Sequence, residues 1–176
     1  TNYRIFAKDI FPDFVFMLAF ISTCKAIMEI ILQIFLVKWS ERFSMAKIIL
    51  ISYTCFTIAA IGYGFSATIL SLFFTLLFLV IGESIAFNHL LRFVSEIAPT
   101  DKRGLYFSIY GLHWDISRTC GPVIGAVLLS KLNGSMLFYI CACFLIIGGI
   151  IQALFVQNLE RNKIKKDISE HTPHVL

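Results

Sequence analysis

Residues 67–95 read ATILSLFFTLLFLVIGESIAFNHLLRFVS, and no ionisable side chain appears in this run before Glu83. A helix needs about 20 mostly apolar residues to cross a bilayer, so the run spans with tilt or projects past the lipid. Backbone groups in hydrocarbon must be paired within their own segment, which makes a helix the expected structure. The in/out alternation over about 10 residues that marks a membrane barrel strand is absent.

Working outward from this run, four similar ones lie at about 14–37, 46–65, 105–129 and 136–157. The expected fold is therefore an all-α membrane protein, a polytopic bundle of five transmembrane helices over residues 1–158. A polar, mobile, basic tail at 159–176 is expected on the cytoplasmic side. The connections carry turn chemistry: Trp39 to Ser44 is a short polar turn, Pro99 precedes Lys102-Arg103-Gly104, and Asn133-Gly134 closes the last loop. Gly62 and Gly64 soften the end of the second run.

Composition agrees with these runs. Hydrophobic residues make up 58% of the chain and charged residues 15%, against about 25% charged in soluble domains. A water-soluble domain is excluded. Cys24, Cys55, Cys120, Cys141 and Cys143 all lie in apolar segments without metal-ligand spacing to histidine. Inert thiols are the expectation, rather than a disulfide framework, and neither a metal nor a cofactor is expected. The chain begins with Thr1 and lacks a signal peptide, from which missing upstream sequence is expected.

Lys and Arg set the expected orientation. Lys38, Arg42, Lys47, Arg92, Lys102, Arg103, Arg161, Lys163, Lys165 and Lys166 collect on one side, against Arg4, Lys8 and Lys131 on the other. The richer side is expected in the cytoplasm, with the N-terminus outside and the C-terminus inside. The basic tail then serves as a topology anchor that also meets membrane lipid.

Ionisable groups inside spans are expensive, by about 2.5–3.5 kcal/mol on insertion scales, and so are candidates for function. The second and fifth runs have none in their apolar cores, whereas the first, third and fourth have several. Three helices are therefore expected to face a polar interior and two to face lipid. On the first run Ser22, Lys25, Glu29 and Gln33 recur every three or four residues and form one stripe. Lys25 and Glu29 can pair along the helix, either as a self-neutralised pair or as part of a cavity wall that contacts solute. Glu83 has no partner on its own helix; it is protonated, pairs with Lys25 or Arg118, or carries a transported proton. Arg92 and Glu96 suit an interfacial pair, and His89 suits packing. On the fourth run Asp115 and Arg118 can pair locally, beside His113 and Trp114. Ser117, Gly121 and Gly125 form a series of small residues that allows close helix approach, and Pro122 favours a bend.

Three of these patterns resemble the major facilitator superfamily of transporters, over nearly the whole chain from Phe14. Ser40-Glu41-Arg42-Phe43-Ser44 leading into Lys47 resembles a degenerate form of the family's Asp-Arg-x-Gly loop, with Glu41 in place of Asp and Ser44 in place of Gly. Pro99 with Lys102-Arg103-Gly104 resembles the loop that opens the fifth helix of a half. Gly121-Pro122-Val123-Ile124-Gly125 resembles the glycine-proline motif of drug/proton antiporters, although Ala126 stands where a closing glycine is usual. The resemblance implies two six-helix halves, with the spans here as helices two to six of one half, the C-terminal one.

It also implies a secondary active transporter, with proton-coupled efflux of amphipathic small molecules by alternating access as the leading expectation. Lys25, Glu29 and Gln33 would then contact the solute. Glu83 or Asp115 would take the proton with Arg118 modulating it, and Ser117, Gly121, Pro122 and Gly125 would serve packing and bending. The expected partners are a small-molecule solute, a proton, the missing remainder of the transporter and the lipid of the plasma membrane. Two alternatives remain: a sugar or other polar solute, and a truncated, non-transporting scaffold. An enzyme is not expected, because no nucleophile or metalloprotease motif is present. Nucleic acid has no support beyond the short basic tail.

Overall fold

The computed structural model describes residues 14–66 and 68–171. Arg4 and Lys8 from the charge count, and tail positions 172–176, lie outside the described residues. Five helices account for nearly all of the rest: α1 Phe14–Ser40, α2 Met45–Phe65, α3 Ile69–Ile97, α4 Arg103–Lys131 and α5 Gly134–His171. Four segments are long and apolar enough to cross a membrane: Ala19–Ser40, Met45–Phe65, Leu70–Ile97 and Gly134–Asn162. α4, at 29 residues, has the length of a span but a more polar composition, because His113, Asp115 and Arg118 interrupt its apolar run.

Local chemistry sets the boundaries. Thr68 opens α3 with a capping box, its Oγ1 accepting from Ser71 N while Ser71 Oγ accepts from Thr68 N, each at 3.3 Å. Pro99 follows the end of α3, where its ring discourages helical backbone at the preceding residue. Ser44 holds the N-cap position of α2 but makes no side-chain cap bond. Instead Glu160 of α5 accepts from Met45 N at 3.1 Å. A carboxylate there satisfies an orphan N–H and complements the helix dipole. α5 runs further than the expected end of its span near 157 and keeps the tail helical to His171. No glycine or proline interrupts residues 158–171, and the Leu, Glu, Arg and Lys among them are good helix formers.

α2 lies between α3 and α5, α1 packs on α3, and α4 touches α3 and α5 only lightly. The core joins Met45, Ile48 and Ile49 of α2 to Ile85 of α3 and to Ala153 and Val156 of α5. Two ring contacts hold α2 to both neighbours. A Cβ at Gly149 of α5 would come within 2.7 Å of Tyr53, and one at Gly82 of α3 within 2.7 Å of Phe56. Glycine is what lets these helices approach so closely in a medium that gives little hydrophobic drive to helix association. Tyr53 also donates through its hydroxyl to Gln152 Oε1 at 2.6 Å.

The sequence assigns the second and fifth spans to lipid, and both do carry exposed apolar stripes, such as Leu50, Ile58, Ile61 and Phe65 on α2. The remaining faces of α2 are buried, however, which makes it the centre of the bundle as well as part of its rim.

Candidate functional site

The polar residues that composition singles out meet along the contact between α1 and α3. Lys25 Nζ lies 2.6 Å from Glu83 Oε2, with the two side chains 33% and 29% exposed. Gln33 Nε2 donates to Asn88 Oδ1 at 3.3 Å. Nearer the loop to α2, Ser40 Oγ and His89 Nε2 lie 2.6 Å apart in a buried contact. Ser40 Oγ is also within 2.6 Å of Leu36 O. With its one proton committed to that carbonyl, the serine oxygen accepts from the ring Nε2–H. The contacts run in the same order along both helices, as parallel neighbours require. They form a seam of one ion pair, one amide pair and one hydroxyl–imidazole pair.

Two cavities open beside this seam. One, of about 840 Å³, lies among the α1–α2 turn, α3 and α5, where Glu41, His89, Arg92, Glu96 and Glu160 stand over an apolar floor. Arg92 and Glu96 pair within α3 at 2.9 Å, both largely exposed. The other, of about 690 Å³, is more open and is bordered by Gln33, Asn88, Lys38, Glu41 and the Ile30–Ile34 face of α1.

The structure therefore brings Lys25, Gln33 and Glu83 into one seam and leaves other candidates apart from it. Lys25 pairs across to α3 and not with Glu29, because the Glu83 carboxylate on the packed neighbour is at contact distance. Glu29 is half-buried and makes no ion pair among the described residues. Asp115 and Arg118 do not form the local pair that their spacing allows; both are exposed on α4. Of the small-residue series, Ser117 is exposed and Gly121 has nothing within 4 Å of where a Cβ would stand. Only Gly125 among the described residues of α4 is buried. Pro122 lies inside a helix that continues unbroken from Arg103 to Lys131. α4 meets α3 through rings, with Phe87 and Trp114 centroids 6.3 Å apart and edge-on.

Asn88, His89 and Ser40 gain roles that their positions alone do not reveal. Asn88 and His89 stand out as polar residues in an apolar run, but their partners on α1 are 55 and 49 residues away in sequence. The glycines that receive the rings of α2, Gly82 and Gly149, carry no sequence signal beyond being glycine within a span.

Amide and ionisable side chains joined between helices long and apolar enough to span a bilayer fit a polytopic membrane protein with a polar interior rather than a soluble domain. The chain belongs to the Major Facilitator Superfamily, whose profile matches residues 14–175. An uncharacterised MFS-type transporter of Bacillus subtilis, YhjO, is 38% identical over 166 residues, covering 94% of this chain and 41% of that protein. Multidrug resistance protein 1 of the same organism is 22% identical over 149 residues, 85% of this chain and 38% of its own length. MFS transporter L2 of a Phoma species is 30% identical over 69 residues, 39% of this chain and 12% of that one. The chain thus spans about two fifths of the length of YhjO and of multidrug resistance protein 1. No solved structure matches it. The family is one of transporters, and membership together with the four long apolar helices sets the chain among multi-pass membrane proteins.

Proposed function

We propose that the chain forms five of the six helices of one half of a proton-coupled exporter of amphipathic small molecules, and that the remainder of the carrier supplies the other half. The protein then lies in the plasma membrane with its basic end in the cytoplasm and its N-terminus outside, following the Lys and Arg asymmetry. Transport proceeds by alternating access around the wall that carries Lys25, Glu29 and Gln33. The likeness to a multidrug resistance protein supports this choice of solute.

The observation that carries the reading is the Lys25–Glu83 pair at 2.6 Å. While Glu83 is ionised, the pair holds α1 to α3. A proton on Glu83 removes the attraction and would leave Lys25 charged and unpaired, which is costly away from water. Glu29 offers the lysine a second partner one turn along its own helix, at i,i+4 spacing and in the weaker of the two orders, so the pairing with Glu83 prevails until that carboxylate is protonated. Exchange of Lys25 from Glu83 to Glu29 therefore links uptake of a proton to loosening of the α1–α3 contact. Asp115 and Arg118, exposed on α4, contact the solute or tune Glu83, and Gly121, Pro122 and Gly125 let α4 bend and pack in the assembled carrier.

The test is transport in inverted membrane vesicles by the full-length protein with Glu83→Gln. Uphill, proton-driven accumulation of a lipophilic dye is expected to disappear, while exchange of dye for dye, which needs no net proton movement, continues. Unchanged uphill transport by Glu83→Gln would remove the coupling role from this residue.

A further inference from the structure

The amide pair beneath the ion pair has a fixed polarity. Asn88 Nδ2 donates to Ser84 O, one turn back on α3, at 3.0 Å. A backbone carbonyl only accepts, so the nitrogen of the Asn88 amide must face it; the reversed amide would set two oxygens against each other. The Asn88 oxygen therefore points to α1, where it accepts from Gln33 Nε2 at 3.3 Å. That contact in turn commits the nitrogen of Gln33. Its Oε1 is left without a protein partner among the described residues, on a side chain that borders the cavity of about 690 Å³. Ile30, Ile34 and Val37 make the apolar part of the wall, which Lys38 and Glu41 also line.

We propose that Asn88 is a positioning residue for solute recognition: it turns the Gln33 amide so that an acceptor oxygen faces the cavity, and the site thereby selects solutes that carry a hydrogen-bond donor. A solute with an N–H or O–H satisfies Oε1 directly. One without a donor displaces water from that oxygen and leaves it unpaired, the arrangement by which polar sites discriminate strongly between similar ligands. This rests on the exporter reading and adds to it a chemical preference within the class of amphipathic solutes. Asn88 acts only through Gln33, so loss of either side chain has one and the same consequence.

Ethidium, whose aromatic amino groups are donors, and tetraphenylphosphonium, a cation of similar lipophilicity with no donor, separate the terms. Transport by the full-length protein is measured in inverted vesicles, and dissociation constants are measured on the purified protein by fluorescence quenching. Gln33→Leu and Asn88→Leu are each expected to raise the KM and the dissociation constant for ethidium about tenfold, the scale of one lost hydrogen bond. The kcat for ethidium stays unchanged, whereas the KM and the dissociation constant for tetraphenylphosphonium fall, because the acceptor that this cation leaves unpaired is gone. The double variant should match the single ones, because the two residues act as a unit.

A loss shared equally by both probes marks a merely structural role and overturns the proposal, as does no change for either. If the wild type binds both probes but transports neither, the exporter reading falls while the binding contrast still decides the amide proposal. A wild type that binds neither probe overturns both.

Discussion

α2 and α4 are both long helices with small residues, yet they stand at opposite extremes of packing. α2 buries Ser52, Ile48 and Ala59 to 2% exposure or less, and it inserts Tyr53 and Phe56 against glycines of two different neighbours. α4 leaves every residue from 112 to 120 exposed and touches the bundle mainly through Trp114 and Gly125. A glycine on the first surface is filled by a ring from the next helix; Gly121 on the second meets nothing. The comparison teaches that a small-residue series reports a capacity for close approach without naming the partner. In α2 and its neighbours that capacity is used within the chain. On α4 it remains open, as the proposal of a carrier completed by further polypeptide requires.

The largest test of this contrast is to add volume to both surfaces. Gly149→Leu and Gly82→Leu are each expected to cost about 1–3 kcal/mol, the usual range for an overpacked interior. The Gly149 site is the less forgiving, because a new Cβ there would meet Tyr53 Cβ and Cγ, both at 2.7 Å, at the stem of the ring rather than its movable tip. In this chain without the rest of the carrier, Gly121→Leu should stay within about 0.5 kcal/mol, as substitutions away from packed features do. Unfolding of the purified protein in detergent reads all three. Equal losses at positions 121 and 149 would break the comparison.

A smaller effect sharpens it at the start of α2. Glu160→Ala should lower stability by about 1 kcal/mol, the scale of a lost helix cap. Glu160→Gln keeps an acceptor and should retain part of the contribution. Ser44→Ala should do almost nothing, although serine at that position is what a sequence reader would choose as the cap, because Ser44 makes no cap bond. If Ser44→Ala proved the more damaging, the tie between α5 and α2 through Glu160 would not be the working cap.

These cases also show how far the sequence can be read. Bilayer length and the ban on unpaired backbone in lipid leave few choices for runs such as 67–95, so helices and loops emerge within a few residues of where they lie. Lys25, Gln33 and Glu83 stand out for the same reason, since a polar group in such a run is costly wherever it points. Their partners do not stand out. Lys25 has a carboxylate four residues along its own helix and another on α3, and only the packing of α1 on α3 decides for Glu83. The reach of α5 was hidden differently: polarity after residue 157 marks the end of a span, but says nothing against a helix continuing into water. Gly82 and Gly149 were illegible because their meaning lies in Tyr53 and Phe56, which arrive from another helix.

The smallest expected change in stability concerns the charges of α4. Asp115 and Arg118 are exposed and have no ion pair among the described residues. Asp115→Asn and Arg118→Gln should therefore each shift unfolding by less than about 0.5 kcal/mol. Transport is the more informative measurement for the same variants. If it falls while unfolding is unchanged, the charges act on solute or on the proton step, and the open face of α4 is the functional side of the bundle. If stability falls by as much as it does on overpacking α2, then α4 is anchored through an ion pair that forms in the assembled carrier, and its exposure here measures only what five helices leave uncovered.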